Sequence, residues 1–208
     1  GLGFKDYIAE AFEQADTIIS IGYDLSEYDP KNWNIGEEKK IIHIDFESAD
    51  VFEDYQPDVE VVGDITNSVL SIMQQLDKQF SIDWASPIRN RIQKSIHKHI
   101  PSERHTNFDT PTILNAVRSI LPEDGLLISD VGTHKMWIAR NFETYSPNGC
   151  IISNGLASMG IALPGGIAAK IVDPKRNVVS VMGDGGALMN FQEIETAKRL
   201  GLGFVILI

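Results

Sequence analysis

Val178-Val179-Ser180-Val181-Met182-Gly183-Asp184-Gly185-Gly186 is the stretch on which the fold turns. Its first five residues are apolar or small and rich in β-branched side chains, as expected of a strand buried on both faces. Its last four carry three glycines, which break regular structure and let the backbone turn tightly. A helical pattern follows over residues 190–200, then a second apolar run over 204–208. Strand, turn, helix and strand in that order predict parallel strands joined by a crossover helix, so the expected class is α/β.

Outward from this stretch, toward the N-terminus, the same unit recurs. A helical pattern over 158–171 is preceded by the strand-like run Cys150–Ile152, which ends in Ser153-Asn154-Gly155. Before that, a helix is expected over 135–142, and Leu126–Ser129 is a strand ending in Asp130-Val131-Gly132-Thr133. Asp109-Thr110-Pro111 reads as a cap and proline opening a further helix with Ile113, Leu114, Val117, Ile120 and Leu121 on one face. An earlier block repeats the pattern. Phe4, Ile8, Ala11 and Phe12 recur at helical spacing before the strand Thr17–Ile21, Lys40–Asp45 and Val59–Val62 are further strands, and Asp64 or Thr66 caps a helix bearing Ile65, Val69, Ile72, Met73 and Leu76. Between the blocks, residues 81–109 gather basic side chains and prolines. Ile88, Ile92, Ile96 and Ile100 sit four apart there, which predicts an amphipathic helix within a linker. The architecture expected is two Rossmann-like parallel-sheet blocks, 1–80 and 110–208, each with only three to four strands and each truncated.

Charge and cysteine content narrow the class of function. The 208 residues hold 18 Lys and Arg against 29 Asp and Glu, a net charge of −11. That is the wrong sign for a surface that neutralises nucleic-acid phosphates. Cys150 stands alone, so no internal disulfide forms, and there is no apolar run long enough for a membrane helix. A cytoplasmic protein without nucleic-acid or membrane partners is expected.

The chemistry gathers where the strands of the second block end. In an open parallel sheet, ligands bind outside the carboxyl ends of the strands. At 183–186, glycines permit close backbone approach, and Asp184 offers a hard oxygen donor suited to Mg²⁺. A diphosphate bridged by the metal and facing the amides of the next helix is the natural occupant. By itself, Gly-Asp-Gly between strand and helix is often only a turn.

Three further stretches give the turn its context: Asn190-Phe191-Gln192-Glu193-Ile194-Glu195-Thr196-Ala197 after it, Asn154 to Pro164, and Asp130 to Arg140. With Gly22-Tyr23-Asp24, Glu27-Tyr28-Asp29-Pro30 and His43-Ile44-Asp45 in the first block, the chain resembles the thiamine diphosphate (ThDP) dependent acetolactate synthase family, in its catabolic, flavin-free branch. The resemblance implies that 1–80 is the C-terminal part of a central domain and 110–208 the N-terminal part of a diphosphate-binding domain. It implies Asp184 as a Mg²⁺ ligand, with Gly183, Gly185, Gly186 and Ala187 cradling the diphosphate. Gly132, Thr133 and His134 match the loop touching the diphosphate from another strand. Met159 matches the apolar residue that keeps the cofactor bent, and is the one catalytic position implied. A surface-capping His134 and a core Met159 are the plainer readings of those two residues.

The activity implied is decarboxylation of pyruvate and ligation to a second pyruvate, giving 2-acetolactate and CO₂. The family's second metal-binding turn falls past Ile208, and its activating glutamate lies on a preceding domain, so the chain by itself is expected to be inactive. Intact relatives place active sites between subunits, which implies a homodimer or homotetramer. FAD is expected to be absent, because the loop from Tyr23 to Asp29 is acidic and no Gly-x-Gly-x-x-Gly turn offsets it. Pyruvate oxidase, sulfoacetaldehyde acetyltransferase and glyoxylate carboligase share the cofactor turn and remain alternatives, as does a noncatalytic binding module on the same fold.

Overall fold

A computed structural model describes residues 8–25, 29–34, 39–76, 83–97 and 109–208. Phe4 of the first expected helix, Ser26, Glu27 and Tyr28 of the acidic loop, and Ile100 with the basic residues 98–105 lie outside these. The chain divides into two compact units, Gly1–Gln93 and Lys94–Ile208.

In the first unit, α1 (Ile8–Gln14) leads into β1 (Thr17–Ile21), and a 3₁₀ turn (Pro30–Asn32) precedes β2 (Lys40–Asp45) and β3 (Val59–Val62). The strands are parallel, in the order β1-β2-β3. Pairing of Ile18 with Ile41 and Ser20 with His43 puts these four on one face of the sheet. Tyr55 and Trp33 pack there with Ile41 as a buried cluster. The Tyr55 hydroxyl lies 2.6 Å from Ser20 Oγ and 2.8 Å from His43 Nδ1, so the polar tip of this buried ring is fully occupied. After β3, Asp64 caps α2 (Ile65–Gln75), its carboxylate accepting from the Asn67 amide at 2.8 Å. Next comes α3 (Ser86–His97), with Ile88 and Ile96 buried, and the division between the units falls within it.

The second unit continues with α4 (Thr110–Ile120), β4 (Leu126–Ser129), α5 (Thr133–Asn141), β5 (Cys150–Ile152), α6 (Ala162–Val172), β6 (Val178–Val181), α7 (Asp184–Asn190), α8 (Glu193–Arg199) and β7 (Val205–Leu207). Asp109 caps α4 through the Thr112 amide, 2.9 Å away. All four strands are parallel, in the order β5-β4-β6-β7. The central strands β4 and β6 are buried along their whole length, and their alternating side chains feed two cores. Leu126, Ile128 and Val178 meet Leu163, Ile167 and Ala197 from α6 and α8. Leu127, Val179 and Val181 meet Leu114 and Ile138 from α4 and α5. Helices on both faces of a parallel sheet make this a doubly wound α/β layer. The α/β class and parallel-sheet blocks expected from the sequence are therefore what the chain forms.

The helices after β5 and β6 depart from the sequence expectation. The helix expected from residue 158 starts at Ala162, because Gly160 takes φ = +85° and interrupts it. The helix expected over 190–200 forms as the shorter α8, Glu193–Arg199, and an unexpected helix, α7, precedes it, beginning inside the glycine turn at Asp184. No helix among the described residues is long and apolar enough to cross a membrane.

Candidate functional site

The chain leaves β4 for β5 on one side and returns for β6 on the other. The order of connection thus reverses between β4 and β6, and the crevice outside their carboxyl ends is where this class of sheet binds ligands. Asp184 is the first residue of α7, with an exposed side chain, and Gly183 is the N-cap residue. Ala187 donates its amide to Gly183 O at 2.9 Å, closing the first turn. No side chain caps this helix, so its leading amides remain available to an anion.

The last two glycines of this turn pack closely against neighbouring side chains. A Cβ on Gly185 would lie 3.1 Å from Met159 Cε, and one on Gly186 would lie 2.9 Å from Asp130 Oδ2. Met159 is therefore in contact with the turn, its side chain about half exposed at 48%. On the neighbouring strand end, Gly132 is the N-cap of α5 at φ = +137°, and Thr133 starts that helix. His134 folds back: its Nε2 is 3.1 Å from Asp130 O and must donate, since a carbonyl only accepts. The ring's opposite edge then lies between the two glycine turns, its Nδ1 at 3.1 Å from a Cβ built on Gly132 and 3.6 Å from one on Gly183. Lys135 Nζ ties in the end of β5 through Ser153 O at 2.7 Å. The predicted residues thus converge at one mouth of the sheet, with Thr133 and Asp184 exposed at helix starts. In the segments that follow β5 and β6, Leu156 at 96%, Leu188 at 80% and Phe191 at 50% are exposed apolar side chains.

Two residues of this mouth escaped the sequence reading. Asp130 is wholly buried, at 0% exposure, and its Oδ1 accepts from the Val131 amide at 2.7 Å and the Gly160 amide at 3.0 Å. Asn190, the last residue of α7, donates from Nδ2 to Gly160 O at 2.8 Å. A carboxylate directly after four buried strand residues was the available signal for Asp130. Asn190 lay within a quoted motif without a role.

Comparison with known proteins matches residues 1–76 to the central domain of thiamine pyrophosphate enzymes and residues 130–208 to their C-terminal TPP binding domain. The chain belongs to the thiamine pyrophosphate enzymes. It is similar to the acetolactate synthase of Bacillus subtilis, 38% identical over 90% of this chain and 34% of that protein. The catabolic acetolactate synthase of Raoultella terrigena is 37% identical over the same shares. A protein named as a probable acetolactate synthase large subunit from Methanocaldococcus jannaschii is 33% identical over 95% of the chain and 35% of its own length. The chain spans about a third of the length of these relatives. Thiamine pyrophosphate is the ThDP of the sequence reading, and the matched binding domain takes in every site residue placed above.

The first unit holds a separate cavity of about 500 Å³ at the carboxyl ends of β1 and β2, lined by Gly22, Tyr23 and His43. Asp24, Asp45, Glu47 and Asp50 also line it. Four carboxylates give it a negative field.

Proposed function

We propose that this chain is the internal part of a ThDP- and Mg²⁺-dependent acetolactate synthase, with 1–80 from the central domain, 81–109 a linker and 110–208 from the diphosphate-binding domain. The observation that carries the proposal is the convergence of Met159 on the Gly185 turn, with Asp184 one residue before it and an uncapped helix start behind it. The residues fit the cofactor in their chemistry: the donor set is a hard carboxylate with backbone amides that glycines leave uncovered. When bound, ThDP supplies an electron sink for decarboxylation and carbon–carbon bond formation between two pyruvate molecules.

The chain's own residues have distinct tasks. Asp184 would hold Mg²⁺, and the amides of Gly185 and Gly186 at the start of α7 would receive the diphosphate together with the helix dipole, on a turn closed by the Ala187 amide on Gly183 O. Gly132, Thr133 and His134 would bound the diphosphate from the β4 side. Met159 would offer an apolar, deformable surface to the bound cofactor and help exclude water. Because the chain spans about a third of its relatives' length, the 208 residues by themselves are proposed to be inactive, and acetolactate formation by them would contradict this. The exposed apolar side chains after β5 and β6 support an intact enzyme whose site is completed by a second subunit in a dimer or tetramer. The acidic lining of the first unit's cavity opposes a dinucleotide pyrophosphate, so the enzyme carries no FAD; a flavin absorption band would contradict that. The lone Cys150 fits a cytoplasmic setting.

The test is calorimetry of ThDP with Mg²⁺ on the full-length enzyme and its Asp184→Ala variant. A directly bound ligand should cost more affinity than the about 10- to 100-fold typical of an outer-shell partner. Full metal-dependent affinity in the variant would refute the assignment.

A further inference from the structure

Asp130 is an ionisable side chain at a water-facing strand end, yet it is completely buried. A buried carboxylate persists only with partners, and its described partners are backbone amides. Oδ1 takes Val131 N at 2.7 Å and Gly160 N at 3.0 Å, and Oδ2 lies 3.5 Å from Ala162 N. Ala162 is the first residue of α6, which has no side-chain cap of its own. Asp130 thus serves as a cap supplied from another element, its charge complementing the dipole of that helix. On the opposite side, Asn190 Nδ2 donates to Gly160 O at 2.8 Å.

These contacts share one target. Gly160 N belongs to the peptide joining Met159 to Gly160, and Gly160 O to the peptide joining Gly160 to Ile161. Asp130 holds the first plane and Asn190 the second, on either side of a glycine at φ = +85° that would otherwise swivel freely. A Cβ at Gly160 would lie 2.6 Å from Asn190 Nδ2 and 2.9 Å from Met189 Cβ, so the clamp also closes sterically. Met159 immediately precedes this pinned hinge, and its Cε stands over Gly185.

We propose that Asp130 and Asn190 are positioning residues: together they lock the Gly160 hinge and so fix Met159 against the Gly185 turn. This rests on the ThDP reading and adds to it. The clamp governs the ring end of the site, while the diphosphate end is held by α7. Releasing either plane should therefore loosen Met159 and lower turnover with little effect on cofactor affinity.

The test uses the full-length enzyme as wild type, Asp130→Ala, Asp130→Asn and Asn190→Ala. Three quantities are read: amide hydrogen exchange of segment 155–161 without cofactor, the dissociation constant of ThDP with Mg²⁺, and kcat with pyruvate. Asp130→Ala and Asn190→Ala should speed exchange of the segment, hold ThDP affinity within about threefold, and lower kcat toward the about hundredfold expected of a misplaced site group. Asp130→Asn keeps the Oδ1 acceptor for both short contacts and should regain most of kcat. Unchanged kcat in an enzyme that binds ThDP would overturn the inference while leaving the cofactor reading intact. So would a parallel loss of kcat and affinity that Asp130→Asn does not relieve, since a merely structural role would give that. If Asp130→Ala does not fold, Asn190→Ala decides, because its side chain is only half-buried. A wild-type enzyme that takes up no ThDP would sink both readings at once.

Discussion

Gly165 and Gly166 stand side by side in α6, and the same substitution should act very differently at the two. Within a helix, alanine is favoured over glycine by about 0.5–1 kcal/mol, because the unfolded chain has less freedom to lose. At Gly165 a new Cβ would meet Ile128 Cγ2 at 3.2 Å and Cδ1 at 3.5 Å, a tight contact that small side-chain adjustment relieves. At Gly166 it would meet Ser180 Oγ at 2.4 Å and Phe204 Cε2 at 2.5 Å, where real atoms cannot coexist. Ser180 is fully buried and donates to Ala162 O at 2.8 Å, so turning its hydroxyl aside gives up that bond. Overpacking costs about 1–3 kcal/mol and a lost buried hydrogen bond about 1 kcal/mol. Set against the propensity gain, Gly166→Ala should lose about 1–3 kcal/mol, whereas Gly165→Ala should stay within about 1 kcal/mol of wild type. In urea unfolding, with a slope of about 2 kcal/mol/M, the Gly166 variant's midpoint should fall by about 0.5–1.5 M and the Gly165 variant's should barely move. Equal midpoints, or the reverse order, would show that α6 does not lie on the sheet as described.

Two further outcomes follow from ionisable groups, the buried Tyr55 and the partly buried Cys150. Burial raises the Tyr55 hydroxyl above its ordinary value of 10.0; the Ser20 hydrogen bond lowers it, and the nearby Asp45 and Glu60 raise it. Its contribution to stability is thus complete below pH 10 and is lost as the pH climbs from there through the higher folded value. Urea midpoints compared between about pH 9 and pH 11 should fall more steeply for wild type than for Tyr55→Phe, and matching slopes would refute this. Burial also raises the Cys150 thiol from 9.0 to about 11. At pH 9 it is only about 1% thiolate when folded against about half when unfolded, so alkylation by iodoacetamide should be slow until urea is added; rapid labelling of the folded protein would contradict the burial.

What could be read in advance tracks how local its cause is. The strands β4 and β6 declared themselves because a strand buried on both faces has no polar alternation, and Leu126 to Ile128 and Val178 to Val181 read as short continuous apolar or small runs. Caps at Asp64 and Asp109 were legible for a similar reason, since each acts on an amide three residues away. By contrast, α7 reads Asp-Gly-Gly-Ala-Leu-Met-Asn, and intrinsic preference assigns its opening to a turn. Its glycines are explained by packing rather than by helix preference, since a Cβ at Gly186 would lie 2.9 Å from Asp130 Oδ2 and one at Gly185 would lie 3.1 Å from Met159 Cε.

The same distinction separates the visible half of the site from the hidden half. Asp184 and its glycines form one contiguous stretch, so their chemistry shows in a few letters. The work of Asp130 is done on Gly160, thirty residues on, and that of Asn190 on the same glycine, thirty residues back. Nothing in either neighbourhood marks the pairing, because it arises only when β4 and β6 lie side by side and bring three loops to one mouth. A glycine in this site can therefore answer two demands: a backbone turn, which sequence can report, and an approach by a distant side chain, which it cannot. Gly160 answers both demands, since it takes φ = +85° and a Cβ there would meet Asn190, whereas Gly186, inside α7, answers only the second, through the Asp130 carboxylate.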